Sequence, residues 1–102
     1  MISSQKPEIP IRSKLEMLDD IVQIIYYLHV GDRKRAEKFI GDLMVRAMYL
    51  ETAIQGQVLR FVGQVEFQYN YDPWHKVTME VQKAADTLIE ELGFRPPNDR
   101  FS

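Results

Sequence analysis

The sequence contains no cysteine, which removes disulfides, thiolate nucleophiles and cysteine-ligated zinc from the chemistry open to this chain. Histidine is scarce too, with 2 in 102 residues, so imidazole-based catalysis and histidine-rich metal centres have little to draw on. Glycine and proline number 5 each, too few for a low-complexity segment. No apolar run approaches the ~20 residues that a membrane span needs, and Met1–Ile11 lacks the apolar core of a signal peptide. The expected setting is a cytoplasm, bacterial or phage-related. Charge of one sign is lacking as well: 13 Lys plus Arg against 15 Asp plus Glu leave a net charge of -2. That excludes a whole-surface attraction to nucleic acid or anionic lipid, although a local basic patch remains open.

What is present is the composition of a single globular domain, 45% hydrophobic and 27% charged, arranged in helical periods. Pro7 and Pro10 flank Ile9, which reads as an extended arm over residues 1–12. Ser13 and Glu16 form a capping box that opens a first helix. Leu15, Leu18, Ile21, Val22, Ile25 and Leu28 follow at spacings of three and four, as one apolar stripe. Gly31 is placed to end this helix in the left-handed conformation, and Asp32 to cap the next. So short a connection makes the two helices antiparallel neighbours.

From Arg33 to about Tyr69 there is neither proline nor a cluster of turn residues. Ala36, Ile40, Leu43, Ala47, Leu50 and Ile54 keep a heptad spacing, and Val58, Leu59, Phe61, Val62 and Val65 continue it over a wide arc. Unbroken, such a helix is roughly 55 Å long at ~1.5 Å per residue. Between Leu43 and Tyr71 only Arg46, Glu51, Arg60 and Glu66 are charged, which places this stretch centrally or in an interface. Gly56 and Gly63 lie on one face, and either break the helix or admit a close crossing. A third helix is expected from Asp72 as N-cap and Pro73 as first residue, with Gly93 after its end. Trp74, Val77, Val81, Ala84, Ala85, Leu88 and Leu92 give its buried face, and residues 94–102 form an extended tail.

The fold class is therefore all-α, with the helical domain over residues 13–93. Two architectures fit. Three long amphipathic helices, the central one spanning about 33–69, form a layer that completes its bundle by dimerising. Alternatively the chain breaks near Gly56 into a compact four-helix bundle. The low charge in mid-chain favours the first, with Val58, Leu59, Phe61, Val62 and Val65 as the dimer interface.

Candidate chemistry is sparse. Arg33, Lys34, Arg35 and Lys38 put cations at a helix N-terminus, against its dipole, and suggest a contact with phosphate or an acidic partner. The ordinary alternative is a solvated face paired to Glu37 and Asp42. Tyr69, Tyr71 and Trp74, with Phe67, form an aromatic cluster suited to a binding hot spot or to base stacking, or simply to plugging the end of the bundle. Met44 and Met48 lie one turn apart and suit either a partner groove or core filling. Asp72 and His75 are half of a carboxylate–histidine pair whose other half is missing, so no metal is expected. No nucleophile, acid–base pair or phosphate loop stands out, so no catalytic residue or cofactor is assigned. The expected function is non-enzymatic: a helical interaction or regulatory protein, homodimeric, binding an unidentified protein. Nucleic acid is the second choice of partner, through the basic run, and no membrane is expected.

Overall fold

The computed structural model describes residues 8–71 and 77–95. Among these the chain is all-α, with four helices and no strand: α1 (Glu8–Val30), α2 (Arg33–Ala47), α3 (Thr52–Tyr71) and α4 (Met79–Glu91). The four-helix alternative is thus the architecture adopted, and a second copy is not needed to make a core. No described helix is long and apolar enough to cross a membrane.

Helix α1 begins at Glu8, five residues ahead of the expected capping box, and runs through Pro10. A proline there is tolerated because the first four N–H groups of a helix have no intrahelical acceptor to lose. Ser13 and Glu16 are consequently helix-interior residues, not a cap. The other end follows expectation. Gly31 has φ +78, its N–H donates to the Leu28 carbonyl at 3.3 Å, and the Asp32 N–H donates to the Tyr27 carbonyl at 2.9 Å. This paired closure satisfies two carbonyls that the helix end would otherwise leave bare. Asp32 then accepts from the Arg35 N–H and starts α2.

The central stretch does not run straight from 33 to 69. It reverses at 48–51, eight residues before Gly56 at most, and Gly56 lies inside α3. The reversal is built without glycine or proline. N–H groups of Met48, Tyr49 and Leu50 donate to carbonyls three residues back, a tightened last turn. The Gln55 side chain reaches back from α3 to donate to the carbonyls of Leu50 at 2.9 Å and Met48 at 3.4 Å. At the far end Arg33 lies over the Tyr69 ring, 4.8 Å from its centroid, so α2 and α3 are antiparallel.

Helix α4 starts at Met79, later than the expected Pro73. Thr78 is extended and its hydroxyl accepts from the Val81 N–H, while the buried Gln68 amide oxygen of α3 accepts from the Thr78 N–H at 3.0 Å. Asp72, Pro73, Trp74 and His75 lie outside the described residues. Gly93 closes α4 with φ +97 and the same paired bonds seen at Gly31.

One core joins all four helices. Met17, Ile21, Ile24 and Leu28 of α1 meet Ala36, Ile40, Leu43 and Ala47 of α2, Ile54, Val58, Phe61, Val62 and Val65 of α3, and Val81, Ala84, Ala85, Leu88 and Ile89 of α4. α1 packs closely on α2 and α3 on α4, so the bundle is two hairpins joined by the 48–51 turn. Val58, Phe61, Val62 and Val65 are spent inside this core. Of the five expected dimer-interface residues only Leu59 faces out, because the reversal at 48–51 folds the chain into two hairpins in which α3 packs chiefly on α4, with α2 and α1 completing the core over the arc that a second copy was expected to cover.

Candidate interaction surfaces

The basic run at the start of α2 is exposed, but its cations are engaged locally. The Arg33 guanidinium pairs with Glu37 at 2.8 Å and covers Tyr69. Arg35 pairs with Asp32 at 3.5 Å and lies over Tyr27, while the Lys38 ammonium sits over the Phe39 ring at 5.5 Å. Lys34 is exposed and meets no acidic side chain among the described residues. Three of the four cations thus cap aromatic rings of the bundle itself, worth roughly 0.5–1 kcal/mol each at exposed sites. That gives the basic cluster a structural reason which the sequence pattern did not reveal.

Of the aromatic candidates, Tyr69 is buried beneath Arg33 rather than displayed. Its hydroxyl finds no hydrogen-bond partner among the described residues, and burial pushes its pKa up to about 12 against the opposing influence of Arg33. Phe67 is on the outer side of α3, 59% exposed. The Tyr71 side chain and Trp74, the other members of the expected cluster, lie outside the described residues.

Between α1 and α2 lies an open cleft of about 430 Å³ lined by Glu16, Asp19, Asp20, Asp42 and Arg46, with Leu15 and Phe39 on its walls. Asp20 is buried, and its carboxylate accepts a hydrogen bond from Arg46, which also pairs with Glu16 at 3.2 Å. Burial pushes the Asp20 carboxyl above the ordinary carboxylate range, and the Arg46 hydrogen bond and charge oppose that rise. The same bond holds the Arg46 guanidinium more firmly charged. Its hydrogen bond ties the buried carboxylate to structure, and among the described residues no three acids or histidines are arranged to hold a metal ion.

The surfaces with the least structural explanation are apolar, and sequence reasoning reached them only in part. The stripe of α1 splits in two. Ile21 and Leu28 turn inward with Met17 and Ile24, whereas Leu15, Val22, Tyr26 and Val30 are each more than half exposed. At ~100° per residue these four, with the half-buried Leu18 and Ile25, form a second strip beside the core face. The other apolar surface surrounds the 48–51 turn, where Val45, Met48, Tyr49 and Leu59 are 56–79% exposed. There an apolar groove of about 160 Å³ opens between α2 and α3, lined by Met44, Ala47, Met48, Gln55, Val58 and Leu59. Spacings of three and four marked Leu15, Leu18, Val22, Ile25, Ala47, Val58 and Leu59 as apolar stripe residues but not Val30, Val45 or Tyr49, and a helix with so wide an arc does not announce which half its neighbours will cover.

Comparison with protein-family models, curated proteins and solved structures finds no match to this chain. Its surfaces are therefore read from their own chemistry.

Proposed function

We propose that this chain is a non-enzymatic, cytoplasmic interaction protein that acts as a homo-oligomer and binds another protein through the outer strip of α1. The observation that carries the reading is the exposure of Leu15, Val22, Tyr26 and Val30 along one line of a helix whose opposite side is already packed. Such a strip, about 22 Å long over residues 15–30 at ~1.5 Å per residue, has the dimensions that an amphipathic partner helix covers. The exposed Asp19 separates Leu15 from the run Val22, Tyr26 and Val30, and such an apolar run rimmed by polar residues marks an interaction site. The tyrosine adds a large contact area with little rotamer entropy to lose.

The test compares immobilised wild-type protein with a Val22→Glu/Tyr26→Glu variant for retention of proteins from a lysate, at low and at high salt. A protein partner held through high salt by the wild type and lost from the variant supports the reading. The same proteins held by both, or none held by either, refutes it. Nucleic acid held at low salt and released steeply by high salt would instead favour the run Arg33, Lys34, Arg35 and Lys38, of which only Arg33 and Arg35 form ion pairs among the described residues.

A further inference from the structure

We propose that two copies of this chain associate through the outer face of the α2–α3 turn, Tyr49 of each copy seating in the apolar groove of the other. The inference rests on reading the protein as a homo-oligomer, and it assigns that association to residues other than the buried arc of α3.

Tyr49 is 79% exposed, the largest exposure among the large hydrophobic side chains of the described residues, and it stands at the tip of a turn beside the groove. A groove of about 160 Å³ matches one aromatic ring: an apolar cavity of ~150 Å³ is enough to take up benzene. Its walls are methionine and leucine, Met44, Met48 and Leu59, and methionine adapts its three torsions to an incoming ring at little cost. Gln55 lies at the groove with its amide nitrogen already donating to Leu50, so no unpaired donor there opposes an apolar occupant.

The same patch carries both the projection and the recess. That is the requirement of a two-fold contact, in which residue i meets j and j meets i. Charge points the same way. The groove lining contains no Asp, Glu, Lys, Arg or His, and the neighbouring Val45 and Tyr49 add none. Arg46 on the same turn of α2 is drawn away towards Glu16 and Asp20. Exposed charges flank the patch, Glu51 on the turn and Arg60 beside Leu59, and being of opposite sign they leave it without a net charge that would repel its own copy. Area is the third argument. The exposed fractions of Met44, Val45, Met48, Tyr49 and Leu59 amount to roughly 600 Å² per copy, against the ~800 Å² each partner contributes to a standard interface. Thr52 and Gly56 on the adjoining turns of α3 are exposed and extend the patch. Gly56 has nothing within 4 Å of where a Cβ would sit, so no neighbour within the chain explains its lack of a side chain.

The experiment is light scattering coupled to size exclusion, with sedimentation to obtain the dissociation constant, on the full chain from low to high micromolar concentration. The wild type is expected at twice the 12.0 kDa of the chain. Tyr49→Glu and Leu59→Glu are each expected to raise the dissociation constant at least ~30-fold, the loss that a hot-spot side chain carries. Circular dichroism verifies that the variants remain folded; should either not, Tyr49→Ala and Leu59→Ser report on the same contact. A wild type that is monomeric throughout overturns the proposal. So does a dimer that survives both substitutions, or one that Val22→Glu dissociates while Tyr49→Glu does not. Monomeric protein that still captures a partner through Val22 and Tyr26 would overturn this inference and the homo-oligomeric part of the proposed function, and leave its partner-binding strip on α1 standing. A Tyr49-dependent dimer with no such partner would do the reverse.

Discussion

The chain turns back on itself at Gly31–Asp32 and again at 48–51, by different means. At the first turn the backbone decides. A glycine at φ +78 closes α1 and an aspartate caps α2 at once. At the second, no residue has positive φ and no N-cap side chain is seen at α3; a tightened turn and the reach of Gln55 make the connection. The first is written in residues with special backbone preferences, the second in the fit of one side chain to nearby carbonyls. A reversal can therefore be fully specified without any residue that a sequence pattern would flag.

The largest effect is expected where the first hairpin is clasped by charge. Arg46→Leu leaves the Asp20 carboxylate buried without its counter-charge, a loss of about 3 kcal/mol at neutral pH. Asp20 already has a folded pKa above its ordinary value because of burial, and losing Arg46 raises it further. A group raised in the folded state contributes stability below its unfolded pKa and loses it as the pH rises through the folded one. The deficit of Arg46→Leu should thus shrink as the pH falls towards the carboxylate range, as thermal melts of both proteins across that range would reveal. A deficit independent of pH would mean that Asp20 is not the group left stranded. Asp20→Asn added to Arg46→Leu should restore most of the loss.

The turns themselves can then be set against each other. Gly31→Ala forces a side chain into the left-handed region and should cost about 1–2 kcal/mol, with Gly31→Asn milder. Gln55→Ala removes one good hydrogen bond and one long one from the ends of α2, and should cost about 1 kcal/mol. Each kcal/mol lowers the melting temperature by roughly 4–8 °C in a domain of this size. If Gln55→Ala had no effect, the second turn would owe its shape to the core beneath it, chiefly Ala47 and Ile54, and the contrast with Gly31 would collapse.

This contrast also explains how much was legible beforehand. Helical class, the closures at Gly31 and Gly93, the cap at Asp32 and the inward faces of α2 and α4 all follow from residue types with strong local preferences. The reversal did not, because Ala47, Leu50 and Ile54 keep the heptad spacing straight across it: Leu50 packs against the core from within the turn, so the apolar rhythm continues although the helix does not. Given a straight helix, its wide arc demanded a second copy; given a folded one, the same arc is the core. The two exposed strips were hidden for a related reason. Periodicity separates apolar residues from polar ones, but it does not separate the half of an apolar arc that meets a neighbour from the half that meets water.

The smallest expected effect has the opposite sign. Gly56 and Gly63, read from sequence as a break or a close crossing, are neither within this chain: both lie inside α3, both are exposed, and a Cβ at either would meet nothing within 4 Å. Unlike Gly31, neither has a positive φ. Replacement by alanine should therefore stabilise the isolated chain by about 0.5–1 kcal/mol at each site, through helix propensity and a less disordered unfolded state. The two sites then divide by position. Gly63 lies two turns from Gly56 and a full turn beyond Leu59, the last residue of the groove, so Gly63→Ala should raise the melting temperature and leave self-association unchanged. Gly56 adjoins the patch around Leu59, so Gly56→Ala should give the same gain in a dilute melt but weaken association at high concentration. Equal behaviour of the two variants at every concentration would leave Gly56 without the role in the interface that its lack of intramolecular neighbours suggests.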